Sequence, residues 1–209
     1  MKLFAAPILV TLPDIFPNEP EAFRALTQAG AGIIHVRKPQ ASESALTGLL
    51  REVSGKGHCG TLTLHHHLPL AVQYGLGGVH LRGVDWAAVP HGFRKSASCH
   101  AWNEVAALAG KADYVFLSPV FDSISKPGYS SGFERRDLFE KLKQKVRPPV
   151  VALGGVTPER VSEICRMGFD GVAALGSVWV CEDGKIEITK TVKNYEKLSM
   201  EWERCNARR

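Results

Sequence analysis

The chain has no paired cysteines. Cys59, Cys99, Cys165, Cys181 and Cys205 are five in number, widely spaced and without a C-x-x-C pair. That spacing argues against a disulfide framework or a thiolate zinc site and fits a reducing cytoplasm. No stretch approaches the roughly 20 apolar residues of a membrane-spanning helix, so no membrane partner is expected. The net charge is +5 and the pI near 9.0, but the basic residues are scattered and the one cluster is the end, Arg204 with Arg208 and Arg209. Nucleic acid is therefore set aside in favour of small phosphorylated ligands, which suit a modest positive balance. No low-complexity linker marks a boundary, and 209 residues at 44% hydrophobic content suffice for one well-cored domain over residues 1–209, with a C-terminal helical tail from about residue 182. A homo-oligomer is compatible with this reading. Met1-Lys2 and the apolar run after it look like a short signal peptide, yet Pro13-Asp14 stands where a small-residue cleavage site would, so the run reads as a first strand.

Short β-rich runs alternate with longer amphipathic stretches, the pattern of repeated βα units. Eight strands are predicted: Leu3 to Leu12, Gly32 to Val36, Thr61 to Leu64, Gly78 to Leu81, Lys95 to Cys99, Tyr114 to Leu117, Val150 to Leu153 and Gly171 to Leu175. Helices are predicted over Pro20 to Gln28, Ser42 to Val53, Leu68 to Tyr74, Asn103 to Ala109, Glu134 to Lys145, Thr157 to Met167 and Ile186 to Met200, with Trp86 to Gly92 the weakest. Gly30, Gly75, Gly110 and Gly168 read as helix stops. Thr157-Pro158-Glu159 reads as a helix start, with a hydroxyl cap, proline in the first turn and an acid at the positive dipole end. The whole reads as an α/β protein, a (βα)8 TIM barrel, whose function should sit at the C-terminal strand ends.

Those ends are rich in polar groups. After strand two comes His35-Val36-Arg37-Lys38, after three His65-His66-His67, after four His80 to Asp85, and after five Ser98-Cys99-His100. After strand six, Phe116 to Phe121 gives way to Ser123, Ser125 and Lys126, two hydroxyls and a cation suited to phosphate or pyrophosphate. Gly154-Gly155 ahead of the Thr157 helix, with Gly176-Ser177, makes a phosphate cradle, since glycines admit close backbone approach. Asp85, the one carboxylate immediately after strands two to five, is the natural magnesium anchor. Arg37 can fork onto a terminal phosphate. Adjacent residues on extended backbone point apart, so at most His65 and His67 share a face, and a zinc site would need a third ligand such as His35 or His80. One histidine contacting ligand, the rest packing or lying on the rim, is the favoured reading, and His80 reads as a satisfied inner-strand residue.

Together, His-Val-Arg at 35–37, Gly-Val-His-Leu at 78–81 with Asp85, Ser98 and His100, Ser-Pro-Val-Phe-Asp-Ser-Ile-Ser-Lys at 118–126, Val-Ala-Leu-Gly-Gly-Val at 151–156 and Gly-Val-Ala-Ala at 171–174 resemble the thiamin phosphate synthase/TenI family. The resemblance implies a Mg²⁺-dependent transferase of thiamin biosynthesis that joins hydroxymethylpyrimidine pyrophosphate to thiazole phosphate and releases pyrophosphate. It implies that Arg37, Ser98 and Lys126 act at the reacting pyrimidine, with Ser123 and Ser125 beside them. By the same carry-over Asp85 would hold Mg²⁺ and Gly155 would help hold the thiazole phosphate, with Gly154, Gly176 and Ser177 joining it as the cradle read above, and His35 and His66 are read as substrate-binding.

Three positions depart from the family pattern. His65-His66 stands where synthases of the family have Asn-Asp, replacing a hard oxygen ligand by imidazole. Pro39 stands at the place of a second cation, with Lys38 just before it. The usual strand-eight serine aligns with Gly176, one place before Ser177. The TenI branch, resembling thiazole tautomerases, carries histidine at position 35, but its catalytic histidine aligns with Pro119. Two alternatives follow: a tautomerase using His35 or His66 as acid and base, or a non-catalytic regulatory paralogue that binds thiazole or thiamin phosphate.

Overall fold

In the computed structural model, which describes residues 4–54, 57–82, 86–121, 135–144 and 147–207, eight parallel strands close into a barrel in chain order. They are β1 (Ile8–Val10), β2 (Ile34–Val36), β3 (Leu62–His65), β4 (Gly78–Leu81), β5 (Arg94–Cys99), β6 (Tyr114–Leu117), β7 (Val150–Ala152) and β8 (Gly171–Ala174). The expected (βα)8 barrel is the observed fold, and every strand overlaps the run predicted for it. β1 is much shorter than Leu3 to Leu12. Pro7 has no N–H for a ladder, and Phe4 instead turns beneath the lumen to meet Tyr114 edge to face at 5.2 Å. Gly171 makes room for it, since a Cβ there would lie 2.8 Å from the Phe4 ring.

The helices are α1 (Glu19–Gln28), α2 (Glu43–Ser54), α3 (Leu68–Gln73), α4 (Trp102–Ala107), α5 (Arg135–Leu142), α6 (Val161–Met167) and α7 (Ile188–Ala207). Among the described residues between β4 and β5 there is a 3₁₀ turn, Trp86–Ala88, and no α-helix. The four predicted glycine stops all take positive φ. Of these, Gly168 caps α6 in the left-handed conformation, φ 95°. α7 follows a small hairpin pairing Cys181–Glu182 with Lys185–Ile186 and packs against α1 and α6. Its Tyr195, Leu198 and Trp202 are fully buried, and the Trp202 indole donates to the Phe4 carbonyl at 3.0 Å, fastening the N-terminal segment under the barrel.

Two apolar bodies result. The larger lies between strands and helices. The smaller fills one side of the lumen with Phe4, Ile8, Val10, Tyr114, Phe116, Val151 and Ala173. On the other side, β2 to β5 turn polar residues inward, and the register sets His35 beside Thr63, His65 beside His80, and His80 beside Ser96. The cause is visible in Ile-His-Val, Leu-Thr-Leu-His and Gly-Val-His-Leu. A parallel strand buried on both faces is ordinarily near-continuously apolar, whereas these alternate.

The β2 end shows how parity sorts charge. Arg37 is clamped by Thr11, whose hydroxyl accepts the Arg37 N–H at 3.0 Å and donates to its carbonyl at 3.3 Å. Lys38, one residue on, points the other way. Its ammonium donates to the carbonyls of Leu12 (2.9 Å) and Asp14 (2.7 Å) and to the Glu19 carboxylate, with both charged side chains buried. Burial pushes Glu19 up and Lys38 down, and each charge offsets part of the other's penalty. Lys38 thus ties the β1–α1 connection to β2. Lys38→Met should lower the free energy of urea unfolding by about 3–5 kcal/mol, as a buried pair does when one partner is removed, while Lys38→Met with Glu19→Leu should lose less than the sum of the single changes. Strict additivity would show that the two side chains do not act as a pair.

Candidate active site

At the C-terminal ends of the strands opens a cavity of about 810 Å³, lined by residues from most of the strands and their following loops. Its size falls within the ~300–1,000 Å³ usual for small-molecule sites, at the end of the barrel where such sites are built. Two unlike walls face each other across it.

The first wall belongs to β2–β5. His80 bridges two hydroxyls, Nδ1 to Ser96 Oγ at 2.9 Å and Nε2 to Ser98 Oγ at 3.0 Å, so it is the satisfied inner-strand histidine expected. His65 stacks on His80 at 4.1 Å, and its Nε2 lies 3.0 Å from His35 Nδ1. His35 Nε2 in turn lies 2.6 Å from the Tyr114 hydroxyl. Burial, then the neighbouring imidazoles, holds His35 well below the ordinary histidine range. Burial first and His80 second lower His65 to about 2, and burial with His66 and Arg37 lowers His80 to about 3. All three are neutral imidazoles at neutral pH.

Beyond His65 the backbone is not extended. His66 and His67 both adopt left-handed conformations, φ 58° and 46°, so strand alternation stops at His65 and does not place His67 on its face. His66 is exposed on the cavity wall. Its N–H donates to the His80 carbonyl at 3.0 Å, and partial burial with His67, Arg82 and Arg37 nearby lowers its pKa. Arg37 and Arg82 also line the cavity, which makes this wall cationic.

The second wall belongs to β7 and β8. Gly154 and Gly155 take φ of 95° and 63°. A Cβ on Gly154 would come within 2.9 Å of Pro119, so only glycine lets the segment after β6 lie against this turn. The Val120 and Phe121 N–H groups then donate to the carbonyls of Leu153 and Gly154. Arg160 braces the turn from below, donating to the Gly155 carbonyl at 2.9 Å while lying over the Phe121 ring. Among the described residues the N–H groups of Gly155, Gly176 and Ser177 have no hydrogen-bond acceptor, and the Ser177 hydroxyl is buried without a partner. The predicted helix start is different in kind. The Thr157 hydroxyl makes no capping bond, and Pro158–Arg160 is a 3₁₀ turn ahead of the seven-residue α6. This wall therefore presents unpaired loop N–H groups, the kind of donor that suits an anion, rather than a capped helix.

The expected site residues fall into three groups. Arg37, His66, Ser98, Gly154, Gly155, Gly176 and Ser177 are brought together around the cavity. His35 lies beneath its floor, fully buried and not lining it, which leaves it poorly placed to exchange protons with a ligand. Asp85, Ser123, Ser125 and Lys126 lie outside the described residues. Lys38 does not stand in for the cation missing at Pro39, because it is spent on Glu19. Three participants went unread in the sequence. Tyr114, Arg160 and Glu104 lie within predicted elements, and no local motif marks any of them. Glu104 is the one carboxylate among the described lining residues, and it already accepts the N–H groups of His100 and Ala101 at 2.6 and 3.3 Å.

The chain is similar to known proteins. The profile described as thiamine monophosphate synthase matches residues 8–178. The chain belongs to the TMP-TENI family. A thiamine-phosphate synthase of Lysinibacillus sphaericus is 30% identical over 177 residues, 78% of this chain and 81% of that one. One of Methanoregula boonei is 33% identical over 167 residues, 76% and 77% of the two chains. The crystal structure of a thiamine phosphate pyrophosphorylase from Bacteroides thetaiotaomicron superposes with a TM-score of 0.79 at 27% identity, covering 94% of this chain and 96% of that one.

The family expected from the motifs is therefore the family found. Within it, this member's mouth combines a glycine-rich wall bearing unpaired N–H groups with an imidazole-rich wall. Removing the orphan hydroxyl separates the glycine-rich wall's two effects. Ser177→Ala should leave the ligand-free protein as stable or up to about 1 kcal/mol more stable, because a buried unpaired donor disappears, while weakening binding of a small phosphate monoester roughly tenfold. Thermal melts and titration calorimetry read both. Lower stability with unchanged affinity would mark the hydroxyl as structural only.

Proposed function

We propose that this transferase of the TMP-TENI family joins a hydroxymethylpyrimidine pyrophosphate to a thiazole phosphate, forming thiamin phosphate and releasing pyrophosphate. The observation that carries this reading is a single cavity with two anion-suited walls, Arg37 with Arg82 on one side and Gly155, Gly176 and Ser177 on the other. Two phosphorylated substrates need two such walls. The name of the structural neighbour, a thiamine phosphate pyrophosphorylase, points the same way.

In this scheme the bond from the pyrimidine methylene carbon to the pyrophosphate oxygen breaks, and the thiazole nitrogen gives its lone pair to that carbon. The protein's share is alignment and charge stabilisation. Arg37 forks onto the leaving pyrophosphate, supported by Ser123, Ser125 and Lys126 as the family resemblance implies. Ser98, its hydroxyl held by His80, positions the pyrimidine. The cradle N–H groups and Ser177 hold the thiazole phosphate.

Magnesium fits the described donors poorly. Their one lining carboxylate, Glu104, is committed to the start of α4, so magnesium would rest on Asp85 and on substrate phosphates. Five free thiols fit the reducing cytoplasm as the place of work.

Purified protein mixed with both substrates and Mg²⁺ should yield thiamin phosphate and pyrophosphate in equal amounts. Absence of product at high enzyme concentration, with thiazole phosphate still binding, would establish a binding-only paralogue instead. Arg37→Gln should reduce kcat/KM by about 10–100-fold, the worth of a charged hydrogen bond. His66→Asp should raise the rate at limiting Mg²⁺ by restoring a hard ligand.

A further inference from the structure

We propose that His35, His65 and His80 form a binding site for a zinc-class divalent cation on the floor of the cavity, with one coordination position left for an anionic oxygen. The three residues offer one ring nitrogen each, all within 4.8 Å of one another. His35 Nδ1 and His65 Nε2 are already 3.0 Å apart. Zinc–nitrogen bonds of ~2.0–2.1 Å in a tetrahedral site place neighbouring nitrogens about 3.3–3.5 Å apart, so a small opening of that pair admits the ion.

The donor type selects the metal. Imidazole suits zinc, copper, nickel and iron, whereas magnesium seeks oxygen, so three converging imidazoles favour a zinc-class ion over magnesium. Outer partners are in place: His35 Nε2 meets the Tyr114 hydroxyl at 2.6 Å, and His80 Nδ1 meets Ser96 Oγ at 2.9 Å. Such contacts orient ligating rings.

Without a metal, the His35–His65 hydrogen bond would account for part of the cluster. Ser96 and Ser98 occupy both ring nitrogens of His80, so an ion would take the place of Ser98 at Nε2. Charge settles what the ion requires. The cluster brings no carboxylate, and Arg37 lines the same cavity. A dication there is stabilised when an anion completes its shell. His65 and His80 line the cavity and His35 lies below it, so the open position faces the ligand space, and water, hydroxide or a phosphate oxygen can fill it. Three-histidine zinc sites with one open position are a recognised type. The site does not depend on the synthase reading, because occupancy is measured without turnover.

The test uses the full chain without a histidine tag, stripped with chelator and equilibrated with Zn²⁺, Co²⁺ or Mg²⁺. Metal content after gel filtration should be one Zn²⁺ per chain, undisturbed by excess Mg²⁺. Bound Co²⁺ should show four-coordinate ligand-field bands that shift when inorganic phosphate is added. His65→Asn should weaken Zn²⁺ by more than the roughly 10–100-fold that loss of an outer partner brings, and Tyr114→Phe by about tenfold, with His67→Ala unchanged. Circular dichroism checks folding, and Tyr114→Phe keeps the test decisive if His65→Asn does not fold. Zinc retention below one equivalent, or affinity unmoved by both His65→Asn and Tyr114→Phe, overturns the site, and Co²⁺ bands indifferent to phosphate overturn its open position.

Discussion

A closed eight-stranded barrel admits little solvent to its lumen, so a polar side chain turned inward is costly unless it finds a partner among the other strands. β2 to β5 turn in histidines and serines, and the solution is a lattice that crosses the barrel. His80 spans Ser96 and Ser98 on β5, His65 stacks on His80, and His35 joins His65 to Tyr114 on the far side. The cavity depends on this lattice. It fixes the position of Ser98, supports the mouth from below, and stops where Phe116 and the apolar half of the lumen begin.

Much of this was legible in local pattern. Strand positions followed from short apolar runs, and the satisfied state of His80 from its apolar neighbours Val79 and Leu81. The inward set followed less readily, since strand parity reveals it only once a strand's register is known. Lys38 illustrates the point. One residue beyond Arg37 it faces away from the cavity, and its Glu19 partner lies 19 residues earlier in the chain. Contacts across the barrel were out of reach for the same reason. Tyr114 and His35 are 79 residues apart and Phe4 and Trp202 are 198 apart, and no local period encodes such pairs. His66 and His67 failed differently: left-handed backbone at a histidine is uncommon enough that extended geometry was the natural assumption, and it does not hold past His65.

The phosphate wall follows a different logic. It rests on the absence of side chains rather than on their chemistry. Gly154 is required because Pro119 occupies the space of a Cβ, which couples the turn after β7 to the segment after β6. The segment expected to clamp pyrophosphate thus starts from a point fixed by the segment expected to hold the other phosphate. Arg160 strengthens that coupling by gripping Gly155 and covering Phe121 together. A single substitution at Gly154 would therefore move both halves of the site, whereas Ser177 belongs to one.

His80 connects the two proposals. Its Nε2 meets the hydroxyl of Ser98, and its ring stacks on His65 within the imidazole cluster. Any ligand that draws a His80 nitrogen away from its serine changes what Ser98 can offer a pyrimidine. Conversely, an anion in the cavity compensates charge that the cluster itself lacks. Binding free energies between two sites are reciprocal, so if a phosphate-bearing substrate tightens a metal on the cavity floor, the metal must tighten the substrate by the same factor. That reciprocity would couple the three imidazoles to whatever phosphate the opposite wall holds, a coupling carried by His80 and Ser98 rather than by a carboxylate at position 66.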